Sequence, residues 1–330
     1  AETEYYKVLP IPGKGYGCIA LKSIKRGTRI LADSPLLILE KAHYFHADIQ
    51  AEFDKLSPAD KKLYFTLHSA HNQDPSSWPR KIADSVTDRE SKRIEEQHNA
   101  RVGKEPTLIS IFQTNCMEKD GGAAVFPNAA RFNHSCNPNA CFTWNSAIGK
   151  ETIHTMKDIK ADEEITLGYC DTTHDKATRR WELKHYGFFC DCLACTGDES
   201  DPDSFAAKSA ARRFRLMELE QEMEPLRGVF LELGAKKEGF VNQLLELAKL
   251  LIEEGDYTAR LAATYLDIAL ICEVKGDLAF AKVAAQKALQ VCIDSQGRDF
   301  LDVPKYESVV KRIKEKMDME GEMNGSIEKK

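Results

Sequence analysis

Nowhere does this 330-residue chain run through the roughly 20 consecutive apolar residues that a membrane-crossing helix needs, so no membrane partner is expected. The opening AETEYYKVLP also lacks the basic-then-apolar pattern of a targeting segment. No strong cluster of Lys and Arg is present, and the formal net charge is -6. Phosphate recognition needs clustered cations, so direct nucleic-acid binding is not expected; an acidic surface suits a cationic, lysine-rich partner instead. Ten cysteines are too few for a disulfide scaffold. With no secretory signal, the expected setting is reducing and intracellular: nucleus and/or cytoplasm. Residues 41–105 contain no cysteine at all, which excludes a zinc finger there. The sequence carries no signature of oligomeric state.

The composition, 42% hydrophobic and 30% charged, is that of a soluble chain long enough for one large core or two ordinary ones. Residues 1–40 read as short strands and turns, with three glycines within Gly13–Gly17. Residues 41–105 turn helical: Ser57-Pro58 is a cap followed by a first-turn proline, and SVTDRESKRIEEQHNARVGKE is a charged, solvated stretch. Residues 106–171 return to β-like text, with a hairpin expected through Ser146 to Gly149. A helix-like run leads from 172 into the cysteines before 200. From 201 to 330 the chain reads as helices, with turns at Gly255-Asp256 and Gly276-Asp277. These pairs lie 21 residues apart, short of the roughly 34 of a tetratricopeptide unit, so the half is TPR-like and not a strict repeat. The expected class is α+β: a β-rich domain with a helical insertion and an appended helical domain.

Cys190, Cys192 and Cys195 follow a C-x-C-x2-C spacing suited to one turn around one ion. A structural zinc site takes four ligands, so a fourth must come from elsewhere; Cys136 and His185 are both candidates. The loop NHSCNPN, residues 133–139, is dense in groups that bind polar ligands or their own backbone. A thiol enzyme or zinc hydrolase pairing Cys136 with His134 is a further reading of that loop.

NHSCNPN, EEITLGYCD and YGFFCDCLAC, in that order, resemble the SET-domain protein lysine methyltransferases, most of all the SET-and-MYND-domain family, across about residues 5–197. The missing cysteines in 41–105 mean that this chain lacks the MYND finger and the partner binding that goes with it. The resemblance implies S-adenosylmethionine as cofactor and a lysine-containing protein or peptide, histone or otherwise, as substrate. It implies a pseudoknot in which NHSC meets GYC. By the same resemblance, Lys14, Gly15 and Tyr16 hold the methionine part of the cofactor through backbone groups, Asn133 and His134 bind its two ends, and Tyr169 sits beside the transferring methyl. Tyr186 and Phe188 line the lysine channel and the adenine side, and Tyr64 and Asn72 add contacts from the insertion. Cys136, Cys190, Cys192 and Cys195 become the ligands of a structural zinc. The alternative is a SET fold that binds a partner without catalysis.

Overall fold

The structure is a computed structural model that describes residues 3–78, 87–223 and 239–327. In chain order the strands are β1 (Tyr6–Ile11), β2 (Gly15–Ala20), β3 (Arg29–Asp33), β4 (Leu37–Leu39), β5 (Cys116–Lys119), β6 (Gly122–Val125), β7 (Asn133–His134), β8 (Ala140–Asn145), β9 (Lys150–Thr155) and β10 (Glu164–Leu167). They form three small sheets, ordered β1-β2-β10-β7, β3-β9-β8 and β4-β6-β5. Tyr6, Ile24, Phe126, Phe132, Ile153 and Ile165 belong to the core that these sheets share. The expected hairpin is present: β8 and β9 pair antiparallel around residues 146–149.

Helices α1 (His46–Asp54), α2 (Pro58–Tyr64), α3 (Asp88–Val102) and α4 (Leu108–Asn115) follow β4. Ser57 caps α2 by accepting from the Asp60 N–H, and Thr87 caps α3 by accepting from that of Glu90. The helical layer runs past residue 105, where β-like text was expected. LISIFQTN is short, with Leu108, Ile109, Ile111 and Phe112 as its apolar residues, too brief a run for its pattern alone to separate a buried helix from a buried strand. Thr107 decides it: its hydroxyl accepts from the Ser110 N–H, and the Ser110 hydroxyl bonds back to the Thr107 N–H, a reciprocal box that starts a helix. The layer packs Ile49, Phe53, Tyr64, Ile111 and Phe112 onto Leu37, Leu39 and Val125.

Beyond β10 come α5 (Lys176–Leu183), capped by Asp175, and the single-turn α6 (Leu193–Thr196). The remaining helices are α7 (Phe205–Met223), α8 (Phe240–Glu254), α9 (Ala259–Val274), α10 (Leu278–Gln296) and α11 (Val303–Ile327). Gly255 and Gly276 close α8 and α9 at φ +74° and +81°, where a side chain would be strained. Asp277 then caps α10 by accepting from the Phe280 N–H. Leu251, Leu261, Ile268, Ala281, Ala288 and Ile313 are part of their separate core. No described helix is long and apolar enough to cross a membrane.

The helical half is bolted to the β-rich half by polar contacts. Glu254, buried at the end of α8, accepts from Ser209 and pairs with Arg212 and Arg213. Arg213 reaches the Cys136 carbonyl at 2.6 Å, and Arg260 bridges Asp171 and Thr173 at 2.7 and 2.6 Å. Removing one partner of such a buried pair leaves the other charge uncompensated.

Glu151 of β9 is fully buried opposite Asp33 of β3, and neither carboxyl oxygen has a hydrogen-bond partner. Burial, and then the Asp33 carboxylate, push its pKa up to about 8. The folded state thus holds a proton that the unfolded chain releases near pH 4.5. Its stabilising effect is complete below that value and is lost as pH rises through about 8. Glu151→Gln should therefore melt several degrees above wild type at pH 8 and no higher at pH 4.5, read by thermal unfolding across pH.

Candidate active site and metal centre

The chain brings its distant motifs together through one parallel pairing. β7 lies beside β10 with Asn133 opposite Thr166 and His134 opposite Leu167, and the Ser135 N–H donates to the Leu167 carbonyl at 2.9 Å. NHSC and GYC therefore meet as the resemblance implies. Tyr169, two residues past β10, donates its backbone N–H to His134 Nδ1 at 2.9 Å. That bond makes Nδ1 the acceptor and leaves the proton on Nε2, which lies 3.3 Å from Cys136 Sγ. Burial pushes the His134 pKa down to about 4, so the ring is neutral at physiological pH.

Around Tyr169 the aromatic residues close in. Its ring centroid is 4.9 Å from that of Tyr186, 5.4 Å from His134 and 6.4 Å from Phe188. The Tyr169 hydroxyl donates to the Phe132 carbonyl, and burial holds its pKa well above the usual phenol value.

The glycine-rich turn joins through Glu164. This carboxylate accepts from Asn133 Nδ2 at 2.9 Å and lies 3.5 Å from Lys14 Nζ, which also pairs with Asp191 at 3.1 Å. Because one side of the Asn133 amide is committed to Glu164, its carbonyl side is the one available to a ligand. Gly17 makes the convergence possible: a Cβ there would stand 2.6 Å from Asn133 Nδ2 and 2.9 Å from Glu164 Oε1. A Cβ on Gly15 would meet nothing, at φ +72°, so backbone lies open beside this network. Tyr16 is 61% exposed and pairs with Pro10 in the β1–β2 ladder.

Cys136, Cys190, Cys192 and Cys195 place their sulfurs within 4.8 Å of one another, with 3.5 Å from Cys136 to Cys195 and 3.8 Å to Cys190. A tetrahedron with Zn–S bonds of about 2.3 Å sets its sulfurs roughly 3.8 Å apart. The donor set and spacing therefore fit zinc. Four thiolates about a dication keep excess negative charge, and Arg179, 2% exposed, sits 3.8 Å from Cys195 to balance it. Cys136 is thus the fourth member. His185 lies elsewhere, its ring 5.2 Å from Trp78 and 5.8 Å from Trp181. The tetrad also absorbs Cys136 and leaves His134 engaged at both nitrogens, which argues against the thiol-enzyme reading.

Tyr64 stands apart. It is fully buried in the helical layer with its hydroxyl given to the Leu108 carbonyl at 2.8 Å, so it packs a core instead of lining the cluster. Asn72 is exposed, at φ +56°, with its N–H on the Gly103 carbonyl. Its neighbour Gln73 makes the contact that the sequence did not reveal. Gln73 Nε2 donates to the carbonyls of Ala70 and His185, and Oε1 accepts from Trp78 Nε1 at 2.8 Å. Trp78 in turn carries Lys184 and Arg101 over its ring. The insertion thereby clamps the turn that presents Tyr186 and Phe188.

These features describe a β-rich domain in which an aromatic cluster stands beside an open glycine-rich turn and four cysteines whose spacing fits zinc. A profile of the SET domain matches residues 15–170. A putative SET domain-containing protein of Acanthamoeba polyphaga mimivirus is 30% identical over 197 residues, 57% of this chain and 76% of that protein. The histone-lysine N-methyltransferase set5 of Schizosaccharomyces pombe is 28% identical over 313 residues, 92% of this chain and 84% of that one. The N-lysine methyltransferase SMYD2 of Gallus gallus is 32% identical over 123 residues, 34% of this chain and 26% of its own length. The chain belongs to the SET-domain family.

Two outcomes test this assembly. Cys192→Ser should lose zinc, read by metal analysis, together with the ordering of residues 186–195, read by amide exchange. Gln73→Ala should keep zinc and weaken S-adenosylmethionine binding about fivefold, the effect of roughly 1 kcal/mol in a lost hydrogen bond, read by calorimetry.

Proposed function

We propose that this protein transfers a methyl group from S-adenosylmethionine to the side-chain amine of lysine in a protein substrate. The observation that carries the reading is the convergence of Asn133, His134, Tyr169, Tyr186 and Phe188 on one cluster from separate segments. Cofactor binding would fall to the open Gly13–Gly15 backbone, the free side of the Asn133 amide and the aromatic wall. Bound there, S-adenosylmethionine supplies an electrophilic sulfonium methyl.

The residues of the chain then do three things. Tyr169, Tyr186 and Phe188 exclude water from the amine, and desolvation lowers the pKa of a lysine from about 10.4, favouring the neutral nucleophile. Tyr169, with its hydroxyl proton committed to Phe132, keeps oxygen lone pairs for weak C–H contacts with the methyl and for the amine. His134 fixes the Tyr169 main chain. Alignment of nitrogen and methyl would supply much of the rate, and no general base is required. The acidic surface favours lysine-rich substrates, and the expected sites of action are nucleus and/or cytoplasm.

Tyr169→Phe should fold and bind cofactor as wild type does, by circular dichroism and calorimetry, yet lose about 10- to 100-fold in transfer from labelled S-adenosylmethionine onto a lysine peptide array. An undiminished rate removes Tyr169 from the mechanism. A wild-type protein that binds S-adenosylmethionine but labels no peptide supports the non-catalytic binding module instead.

A further inference from the structure

Five thiols, not four, gather at the knot. Cys170 Sγ, Cys136 Sγ and a ring nitrogen of His134 lie within 4.8 Å of one another, yet the tetrahedron is complete without Cys170. Cys170 is half-buried, and with Cys136 it lines a cavity of about 270 Å³ between the β-rich half and the start of α9. Cys141 lines the same cavity, but of the cysteines outside the tetrad only Cys170 is grouped with Cys136 and His134 among the described residues. Cys18, Cys272 and Cys292 are buried in cores, Cys116 packs against the helical layer, and Cys141 bonds the Ser295 carbonyl. The position is also connected: Cys170 follows Tyr169, and Cys136 receives the Nε2 proton side of the histidine that holds Tyr169.

We propose that Cys170 is an oxidation site that captures Cys136 from the zinc tetrad and so couples peroxide exposure to loss of the active site. This rests on the zinc reading of the four cysteines. In the first step a hydroperoxide oxidises the Cys170 thiol: the S–O bond forms, the O–O bond breaks, and the thiol proton leaves with the departing oxygen, as water when the oxidant is hydrogen peroxide. The product is a sulfenic acid. In the second step the Cys136 thiolate attacks the Cys170 sulfur. The S–S bond forms, the S–O bond breaks, and hydroxide departs to take up a proton as water.

The sulfurs must close from within 4.8 Å to the roughly 2.05 Å of a disulfide. Cys136 and Cys170 continue from adjacent parallel strands, so side-chain rotation and a small loop shift supply that movement. The bond takes one of the four zinc ligands away. It also draws the backbone after Tyr169 toward Cys136 and disturbs the His134 contact. A thiol reductant reverses both changes.

The test uses the full chain, reduced and zinc-replete by metal analysis, exposed to hydrogen peroxide. Released zinc is followed with a colorimetric chelator, and disulfides are mapped by mass spectrometry after alkylation. The expected result is a Cys136–Cys170 linked peptide, zinc release at least about fivefold slower in both Cys170→Ser and Cys170→Ala, and recovery with dithiothreitol and added zinc. Equal release rates in wild type and both variants overturn the proposal, as do disulfides confined to Cys136, Cys190, Cys192 and Cys195. A chain that binds no zinc fails the metal reading, whereas the disulfide map still decides the fate of Cys170.

Discussion

Four sulfurs around one point hold this site in place. Cys136 comes from the loop after β7, whereas Cys190, Cys192 and Cys195 come from the segment after α5, and their convergence fixes where Tyr186 and Phe188 stand. The thiolates bring excess negative charge into a mostly buried space, which is costly without compensation. Arg179 beside Cys195 and Arg213 on the Cys136 carbonyl, both about 2% exposed, provide it. Arg213 belongs to α7 and pairs with Glu254 of α8. The helical half is therefore part of the electrostatic support of the metal knot and not a detachable appendage.

A second support is independent of the metal. Glu164 gathers Asn133 and Lys14, and Lys14 reaches on to Asp191 between two of the cysteines. One carboxylate thus links the glycine-rich turn, the asparagine–histidine loop and the knot. Gln73 and Trp78 add a clamp from the insertion. Each element meets the site through a different kind of contact, so loss of one loosens a particular wall while leaving the sheets intact.

Much of this was legible in the chain itself. The cap at Ser57 and the turns at Gly255-Asp256 and Gly276-Asp277 mark boundaries because their chemistry is local. The cysteine spacing points to a zinc site, and the resemblance carried by the three ordered motifs implies the aromatic cluster. What could not be read is what depends on packing across distance. Residues 108–115 are too short a run for their pattern to decide, and the Thr107–Ser110 box is what starts the helix. Tyr64, which the resemblance places among the cofactor contacts, is buried in the core of its own layer. Gln73 contacts His185 across 112 residues, and an isolated glutamine in a polar loop carries no pattern that foretells it. Glu164 sat inside a quoted motif, yet its task shows only once Gly17 is seen to leave room for it.

The parallel pairing of β7 with β10 has a consequence for synthesis. Parallel neighbours need a long connection between them, and the last sulfur of the tetrad lies at residue 195. A chain emerging from the ribosome has to wait for that residue before its pocket can close. Until then Cys136 and the half-built aromatic wall are exposed, and contacts of such long sequence separation form slowly. The nascent protein is therefore most vulnerable to aggregation and thiol damage in the interval between making its ligand-binding loop and making the residues that lock it.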